Sequence, residues 1–216
     1  SLFSSSGIGD LGLKANGIST IIACELLSDR MDLFRNNHPE ATCFNGDIWS
    51  LKSQIIEYYK STFNEPPFVV LATPPCQGMS VANHKKGDEL KRNSLVVESI
   101  KLIRQIMPRF FVFENVPAFM KSICTDIDRQ DKPIREAIEL DLAGYYNIAA
   151  KVINFKDYGN PSSRTRTLVI GVRKDQKEIT PLDLFPVKQE EQTLRQTIGH
   201  LPHLTYMGES WDQDIY

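Results

Sequence analysis

Short apolar runs alternate with helical stretches along most of the chain. The runs at 68–73 (FVVLAT) and 109–115 (RFFVFEN) are almost continuously apolar, as expected for strands that are buried on both faces. Between them, apolar residues recur at steps of four, three and four from Val96 to Met107, which marks one face of an amphipathic helix. This alternation predicts an α/β fold with a mostly parallel sheet and helices on both faces.

Other segments extend the same pattern. The run at 19–24 (STIIAC) predicts a strand that ends at Glu25, and the segment 28–39 predicts a helix that is capped by Ser28 and stopped by Pro39. The remaining predicted elements are strands at 147–155 and 167–172 and, after a looser stretch from about Lys174, one short helix near 194–201.

Composition narrows the class of protein. The 216 residues are 41% hydrophobic and 24% charged, which is ordinary for a globular domain, and no run of about 18 apolar residues occurs. The net charge of −2 does not indicate a nucleic-acid partner, so any phosphate contacts would have to be local. The chain starts without methionine and ends in the polar segment GESWDQDIY, so we expect it to be part of a larger protein.

The cysteines and histidines do not predict a metal site. Four cysteines are widely spaced without a C-x-x-C pair, which favours neither a zinc site nor a disulfide framework and indicates a reducing compartment. His200 and His203 flank a proline, so we interpret them as loop residues and not as metal ligands.

Chemically distinctive residues follow the predicted strand ends. In parallel sheets, ligands bind just beyond the carboxyl ends of the strands, so these residues predict one shared site. They are Ser4 to Gly9, Glu25, Asp47, Pro74 to Gln77, Glu114 and Asn115.

The opening loop, SSSGIGDLG at 4–12, has the G-x-G-x-x-G spacing of a dinucleotide fingerprint. Three serines separate Phe3 from Gly7, however, which makes the loop longer than a tight pyrophosphate turn requires. Glu25 could accept both ribose hydroxyls of a nucleoside, and Asp47 could accept the amine of an adenine that Ile48 covers. A nucleoside without phosphates suggests S-adenosylmethionine, although a simple turn with two solvated acids explains the same residues.

The segment ATPPCQG at 72–78 places Cys76 directly after two prolines, which restrict the loop and present the thiol. The alternative is a small buried side chain, which is the commoner fate of a free cysteine. Glu114 ends the next apolar strand, and Arg164 and Arg166 share one side of an extended segment as a two-pronged donor. Taken singly, each arginine is more typical of a protein surface.

Together these segments resemble the C5-cytosine DNA methyltransferases. FSSSGIGDLG, Glu25, GDI, PPCQG, FENV and DYGNPSSRTR follow the order and approximate separations of that family over residues 2–173, and LRQTIGHLP resembles the segment that leads to its target recognition domain. The resemblance implies a Rossmann-like methyltransferase fold that uses S-adenosylmethionine. It also implies a catalytic domain at 1–173 and, at 174–216, a linker toward a recognition domain that the chain lacks.

The resemblance also implies a mechanism. Cys76 would add as a thiolate to carbon 6 of a flipped-out cytosine, which makes carbon 5 nucleophilic toward the methyl group. Glu114 would protonate or hydrogen-bond ring nitrogen 3, and Arg166, with Arg164, would bind the carbonyl oxygen. Asn115 would hold the strand end.

The family pattern assigns binding roles as well. The segment 78–93 would close over the flipped base, although an ordinary solvated loop is the alternative. Ser5 stands where many relatives have glycine, and Ser162 replaces the usual glutamine. The residues expected to bind the cofactor are Phe3, Ser4, Gly7, Gly9, Glu25, Leu26, Asp47, Ile48 and Pro74, and those expected to bind the substrate are Gln77, Ser80, Arg92 and Asn115.

The expected partner is double-stranded DNA, with a restriction endonuclease or a second subunit as further candidates, in the cytoplasm of a bacterium or a phage host. Three alternatives stay open. They are a transfer-RNA cytosine methyltransferase, a non-catalytic partner with the same fold, and a nicotinamide oxidoreductase. Intact Cys76, Glu114 and Arg166 argue against the second, and the three serines and the cysteine segment argue against the third.

Overall fold

The structure, a computed structural model, describes residues 1–75 and 86–201. These residues form an α/β fold, as the sequence pattern predicts. The helices are α1 (Ile8–Ala15), α2 (Ser28–Asn37), α3 (Ile48–Thr62), α4 (Lys86–Asn93), α5 (Leu95–Ile106), α6 (Ile134–Leu142) and α7 (Leu194–Ile198). The strands are β1 (Ile22–Glu25), β2 (Thr42–Asn45), β3 (Val69–Ala72), β4 (Phe110–Asn115), β5 (Ile123–Thr125), β6 (Asp131–Pro133), β7 (Tyr146–Asn154) and β8 (Thr165–Arg173).

The main sheet contains both parallel and antiparallel strand pairs. Strand β1 pairs in parallel with β2, and β3 pairs in parallel with β4. Leu2 forms parallel bridges to both Cys24 and Ala72 and thereby joins the two pairs. Strand β8 then runs antiparallel to β4, in the order β3-β4-β8-β7.

Helices cover both faces of the sheet, as predicted. Ile22 and Cys24 of β1 belong to the large core cluster that α3, α5 and α6 complete. Ala23, between them, packs instead with Met31 and Phe34 of α2. Because successive side chains of a strand point to opposite faces, these two clusters lie on opposite sides of the sheet.

The start of α2 differs from the prediction. Ser28 is not the N-cap but the first helical residue, and Leu27 occupies the cap position in an extended conformation without a side-chain cap. The reason is the preceding strand end, where the carboxylate of Glu25 accepts a hydrogen bond from the Leu27 amide at 3.0 Å. This contact fixes the turn into the helix one residue earlier than the serine indicates.

The chain divides into two compact units. The first comprises residues 1–153 and 165–186, and the described part of the second comprises 154–164 and 187–201. Within the second unit, the Gln189 amide donates to the Asp157 carbonyl at 3.0 Å. The functional division between 1–173 and 174–216 stays a prediction. Within the two described stretches of chain, no helix combines the length and the apolar character needed to cross a membrane.

Substitution of Gly171 by alanine should destabilise the fold. Gly171 lies opposite Phe111 in the β4–β8 register, and a Cβ atom there would overlap with the fully buried Phe111 ring. We expect Gly171→Ala to lower the free energy of unfolding by about 1–3 kcal/mol through overpacking, measured by urea denaturation. The matched control is Gly144→Ala, where a Cβ meets no atom within 4 Å. Equal stability of the two variants would contradict the close contact.

Candidate active site

The opening loop lies at the carboxyl ends of β1 and β3. The Leu2 amide donates to the Leu71 carbonyl at 2.8 Å, and the Ser4 amide donates to the Cys24 carbonyl at 3.1 Å. The Thr73 hydroxyl donates to the Phe3 carbonyl at 3.0 Å. The loop is therefore attached to both strand ends, as the positions of the polar residues predict.

The backbone of this loop is folded tightly. Phe3, Ser5 and Gly7 have positive φ angles of 57°, 48° and 78°. A left-handed conformation costs a non-glycine residue free energy, and such residues cluster at binding sites. A glycine would adopt the conformation of Ser5 without this cost.

Glu25 fixes the loop from the neighbouring strand. Its side chain is only 7% exposed, and its Oε2 atom accepts a hydrogen bond from the Ser5 amide at 2.9 Å. Its Oε1 atom accepts the bond from the Leu27 amide. Each carboxylate oxygen can accept a second hydrogen bond, so these contacts orient the carboxylate without using all of its capacity.

The residues expected around an adenine differ in exposure. Asp47 is exposed at the N-cap of α3, where its carboxylate accepts from the Trp49 amide at 3.0 Å. Leu26 is 62% exposed, whereas Ile48 is 4% exposed and belongs to the large core cluster. Of the two apolar side chains, Leu26 is thus the one with free surface. The assignment of these residues to a cofactor stays a prediction.

Asn115 connects the ends of β3 and β4. Its Nδ2 atom donates to the Pro74 carbonyl at 2.8 Å, and its Oδ1 atom accepts from the Val116 amide at 2.8 Å. The residue is 3% exposed. These contacts support the expected role in holding the strand end, and they fix the chain two residues before Cys76. Cys76, Gln77 and Ser80 lie outside the described residues.

Glu114 and Arg166 form an ion pair at the end of β4. The Arg166 Nε atom lies 2.9 Å from Glu114 Oε1, and the two side chains are 17% and 25% exposed. Leu168 of β8 is the register partner of Glu114, so Arg166, two residues earlier, reaches it from the same face. Arg166 also donates through Nη1 to the Thr165 carbonyl at 2.8 Å. A partly buried carboxylate and a guanidinium thus stand together at the predicted edge.

Two further predicted basic residues are Arg164 and Arg92. Arg164 belongs to the second compact unit, where its carbonyl accepts from the Phe155 amide at 2.9 Å. Arg92 is partly buried near the end of α4. Their roles toward a substrate stay predictions.

The described cysteines are poor nucleophiles. Burial raises the pKa of the Cys24 thiol to about 12 and that of the Cys124 thiol to about 12, and partial burial also raises the pKa of Cys43. Since the thiolate is the reactive form, none of these three thiols is prepared for attack at neutral pH.

Two residues that the sequence analysis did not single out contact the opening loop. Asn37 Nδ2 donates to the Ser6 carbonyl at 2.8 Å, and His38 Nε2 lies 3.0 Å from the Gly7 carbonyl oxygen. Their sequence signal is only a pair of polar residues between a helix and Pro39, which also marks an ordinary helix end.

Comparison with known proteins finds similarity to DNA methyltransferases. The model of the family described as C-5 cytosine-specific DNA methylase matches residues 1–214. The type II methyltransferase M1.HgaI of Avibacterium volantium is 33% identical over 208 residues, which are 94% of this chain and 56% of that protein. M.AquIA of Picosynechococcus is 31% identical over 178 residues, which are 80% of this chain and 71% of that protein.

A solved structure supports the fold. A prophage-encoded protein of Escherichia coli, assigned as a DNA modification methyltransferase, superimposes with a TM-score of 0.75 at 27% identity. The match covers 94% of this chain and 54% of that one. The methyltransferase fold expected from the sequence is confirmed. The chain spans about half the length of this structure and of the Avibacterium protein.

The buried thiols should resist alkylation in the native protein. Because the pKa of Cys24 and that of Cys124 are each raised to about 12, we expect neither to react with iodoacetamide as the pH rises from about 7 to about 9. Peptide mass mapping before and after denaturation measures this, and unfolded chain provides the positive control. Rapid native labelling of either residue would show that its thiol is accessible.

Proposed function

Because the chain belongs to the C-5 cytosine-specific DNA methylase family, we propose that it is the catalytic region of a DNA cytosine-5 methyltransferase. The observation that carries the proposal is the Glu114–Arg166 ion pair. Glu114 lies on β4, which pairs with β3, the strand that leads toward Cys76 in the sequence. Nucleophilic activation of a pyrimidine ring requires a thiol, a carboxylate and a guanidinium. The ion pair supplies the last two, and Cys76 follows β3 in the sequence.

The loop at 3–7 and the adjacent strand ends suit S-adenosylmethionine. The backbone there is close-folded, Glu25 offers a fixed carboxylate, and the exposed Asp47 and Leu26 offer an acceptor and an apolar surface. These features match a ribose, an exocyclic amine and a purine ring. When bound, S-adenosylmethionine supplies an electrophilic methyl group.

Cys76 begins the reaction as a thiolate that forms a bond to carbon 6 of the cytosine. The electron pair of the ring double bond would make carbon 5 nucleophilic, and carbon 5 would take the methyl group from S-adenosylmethionine, whose sulfur would keep the electron pair of the bond that breaks. Loss of the proton from carbon 5 restores the double bond and breaks the bond between sulfur and carbon 6. The cytosine must leave the duplex to reach these groups, because its ring is otherwise covered by stacking.

Glu114 and Arg166 stabilise the charge of the addition. Arg166 holds Glu114 through Nε and the Thr165 carbonyl through Nη1, and a guanidinium has further donors for the cytosine carbonyl oxygen. Glu114 is held through Oε1, and it would share with ring nitrogen 3 a proton that it first takes up from solvent. The ion pair therefore positions both groups before the base arrives.

Double-stranded DNA is the proposed substrate, in a bacterial cytoplasm. The curated relatives are type II methyltransferases, so a cognate endonuclease or a second subunit is a further proposed partner. Competition between DNA and transfer RNA for methylation distinguishes the DNA reaction from the transfer-RNA reaction.

The covalent step can be tested by trapping. In DNA with 5-fluorocytosine, carbon 5 carries no removable proton, so the adduct should persist through denaturation when S-adenosylmethionine is present. The complete protein that contains residues 1–216 is expected to form this adduct, and Cys76→Ser should abolish it on denaturing gels. The control Cys43→Ser should trap normally. An adduct with Cys76→Ser would assign the attack to another residue.

The ribose assignment can be tested at Glu25. Glu25→Ala should weaken binding of S-adenosylhomocysteine by at least tenfold, because it removes the acceptor of both ribose hydroxyls and releases the Ser5 amide. Isothermal titration calorimetry measures the loss. Glu57→Ala, on the exposed side of α3, makes the same change in charge and should bind normally. Unchanged affinity of Glu25→Ala would exclude the ribose contact.

A further inference from the structure

We propose that Asn37 and His38 at the end of α2 are positioning residues for the cofactor, and that they act on its amino-acid part rather than on its nucleoside. The inference rests on the proposed function, since it concerns the same loop. It starts from two consecutive carbonyls, those of Ser6 and Gly7, which both face α2.

His38 is fixed in one arrangement. It is completely buried, and its ring lies 4.6 Å from the Phe34 ring, centroid to centroid. Its partner at Nε2 is a carbonyl oxygen, so Nε2 carries the proton and donates it. The buried Nδ1 atom has no hydrogen-bond partner among the described residues. Among the described residues, the side-chain hydrogen bond of His38 thus goes to the loop alone.

Gly7 packs directly on this ring. A Cβ atom at Gly7 would come within 2.7 Å of His38 and 2.8 Å of Phe34, and its φ angle of 78° also disfavours a side chain. The loop backbone is thus in van der Waals contact with α2 as well as hydrogen-bonded to it. Movement of the His38 ring would move the loop.

The direction of the Gly7 carbonyl sets the direction of the next amide. In a trans peptide the carbonyl and the following N–H point to opposite sides, so the Ile8 amide points away from α2. Ile8 is the first residue of α1, where amides have no partner within the helix and the helix dipole favours negative charge. A carboxylate is the group that such an amide binds best, and the amino-acid part of S-adenosylmethionine carries one.

The proposal predicts a ligand-dependent effect. His38→Phe keeps a ring against Phe34 but removes the donor, so affinity for S-adenosylhomocysteine should fall by about fivefold. Binding of 5′-methylthioadenosine, which lacks the amino-acid carboxylate, should change less than twofold. His38→Gln can restore a donor and should recover most of the affinity. A purely structural defect would weaken both ligands alike.

Tyr146→Phe is the matched control. It removes one buried hydrogen bond, from the Tyr146 hydroxyl to the Pro108 carbonyl at 2.8 Å, on a residue whose ring packs against Phe111. Calorimetric titration of this variant of the complete protein that contains residues 1–216 should show wild-type affinity for both ligands. The proposal is overturned if His38→Phe binds S-adenosylhomocysteine like wild type, if it weakens both ligands equally, or if His38→Gln is as weak as His38→Phe.

Amide hydrogen exchange separates this proposal from the proposed function. Exchange at residues 4–12 should be faster in His38→Phe than in Tyr146→Phe, with no ligand present. If wild type binds no S-adenosylhomocysteine, the cofactor assignment fails, and with it the ligand part of the inference. Equal exchange in the two variants would overturn the support of the loop by His38, whatever binds there.

Discussion

The structure depends on the parallel bridges that Leu2 makes to Cys24 and Ala72. These bridges join the two parallel strand pairs. The strand that ends at Glu25 and the strand that leads toward Cys76 are therefore both attached to the backbone of Leu2. The hydrogen bonds from Ser4 to Cys24 and from Thr73 to Phe3 continue this contact beyond Leu2 and beyond the end of β3.

The charged groups of the site are held by contacts that use only part of their hydrogen-bonding capacity. Glu25 accepts two backbone amides, and Arg166 pairs with Glu114 while it also bonds a carbonyl. A partly buried charge without such partners would be costly. The same contacts restrict the side chains before a ligand binds, which lowers the entropy cost of binding.

The strands with continuous apolar runs could be predicted, because burial on both faces leaves a strong local signal; β3 and β4 fall within the predicted segments. The direction of β8 could not be predicted, because an apolar run does not show whether its strand is parallel or antiparallel to its neighbour. The Asn115–Pro74 bond joins residues 41 positions apart, and His38 meets Gly7 across 31. Nothing in the local sequence around either residue of these pairs indicates which residue it will contact. The prediction of Ser28 as the N-cap was wrong because a side chain outside the helix, that of Glu25, binds the Leu27 amide.

The antiparallel direction of β8 has a consequence for how this site can vary. The first residues of a parallel strand would lie at the opposite edge of the sheet. Because β8 is antiparallel, it begins at the edge where β4 ends, and Arg166 lies beside Glu114, which is much earlier in the chain. Side chains alternate along β8, and a single inserted residue between Arg166 and Leu168 would turn the guanidinium to the other face while the ladder still formed. A change of length by one residue at this point would therefore remove Arg166 from the site.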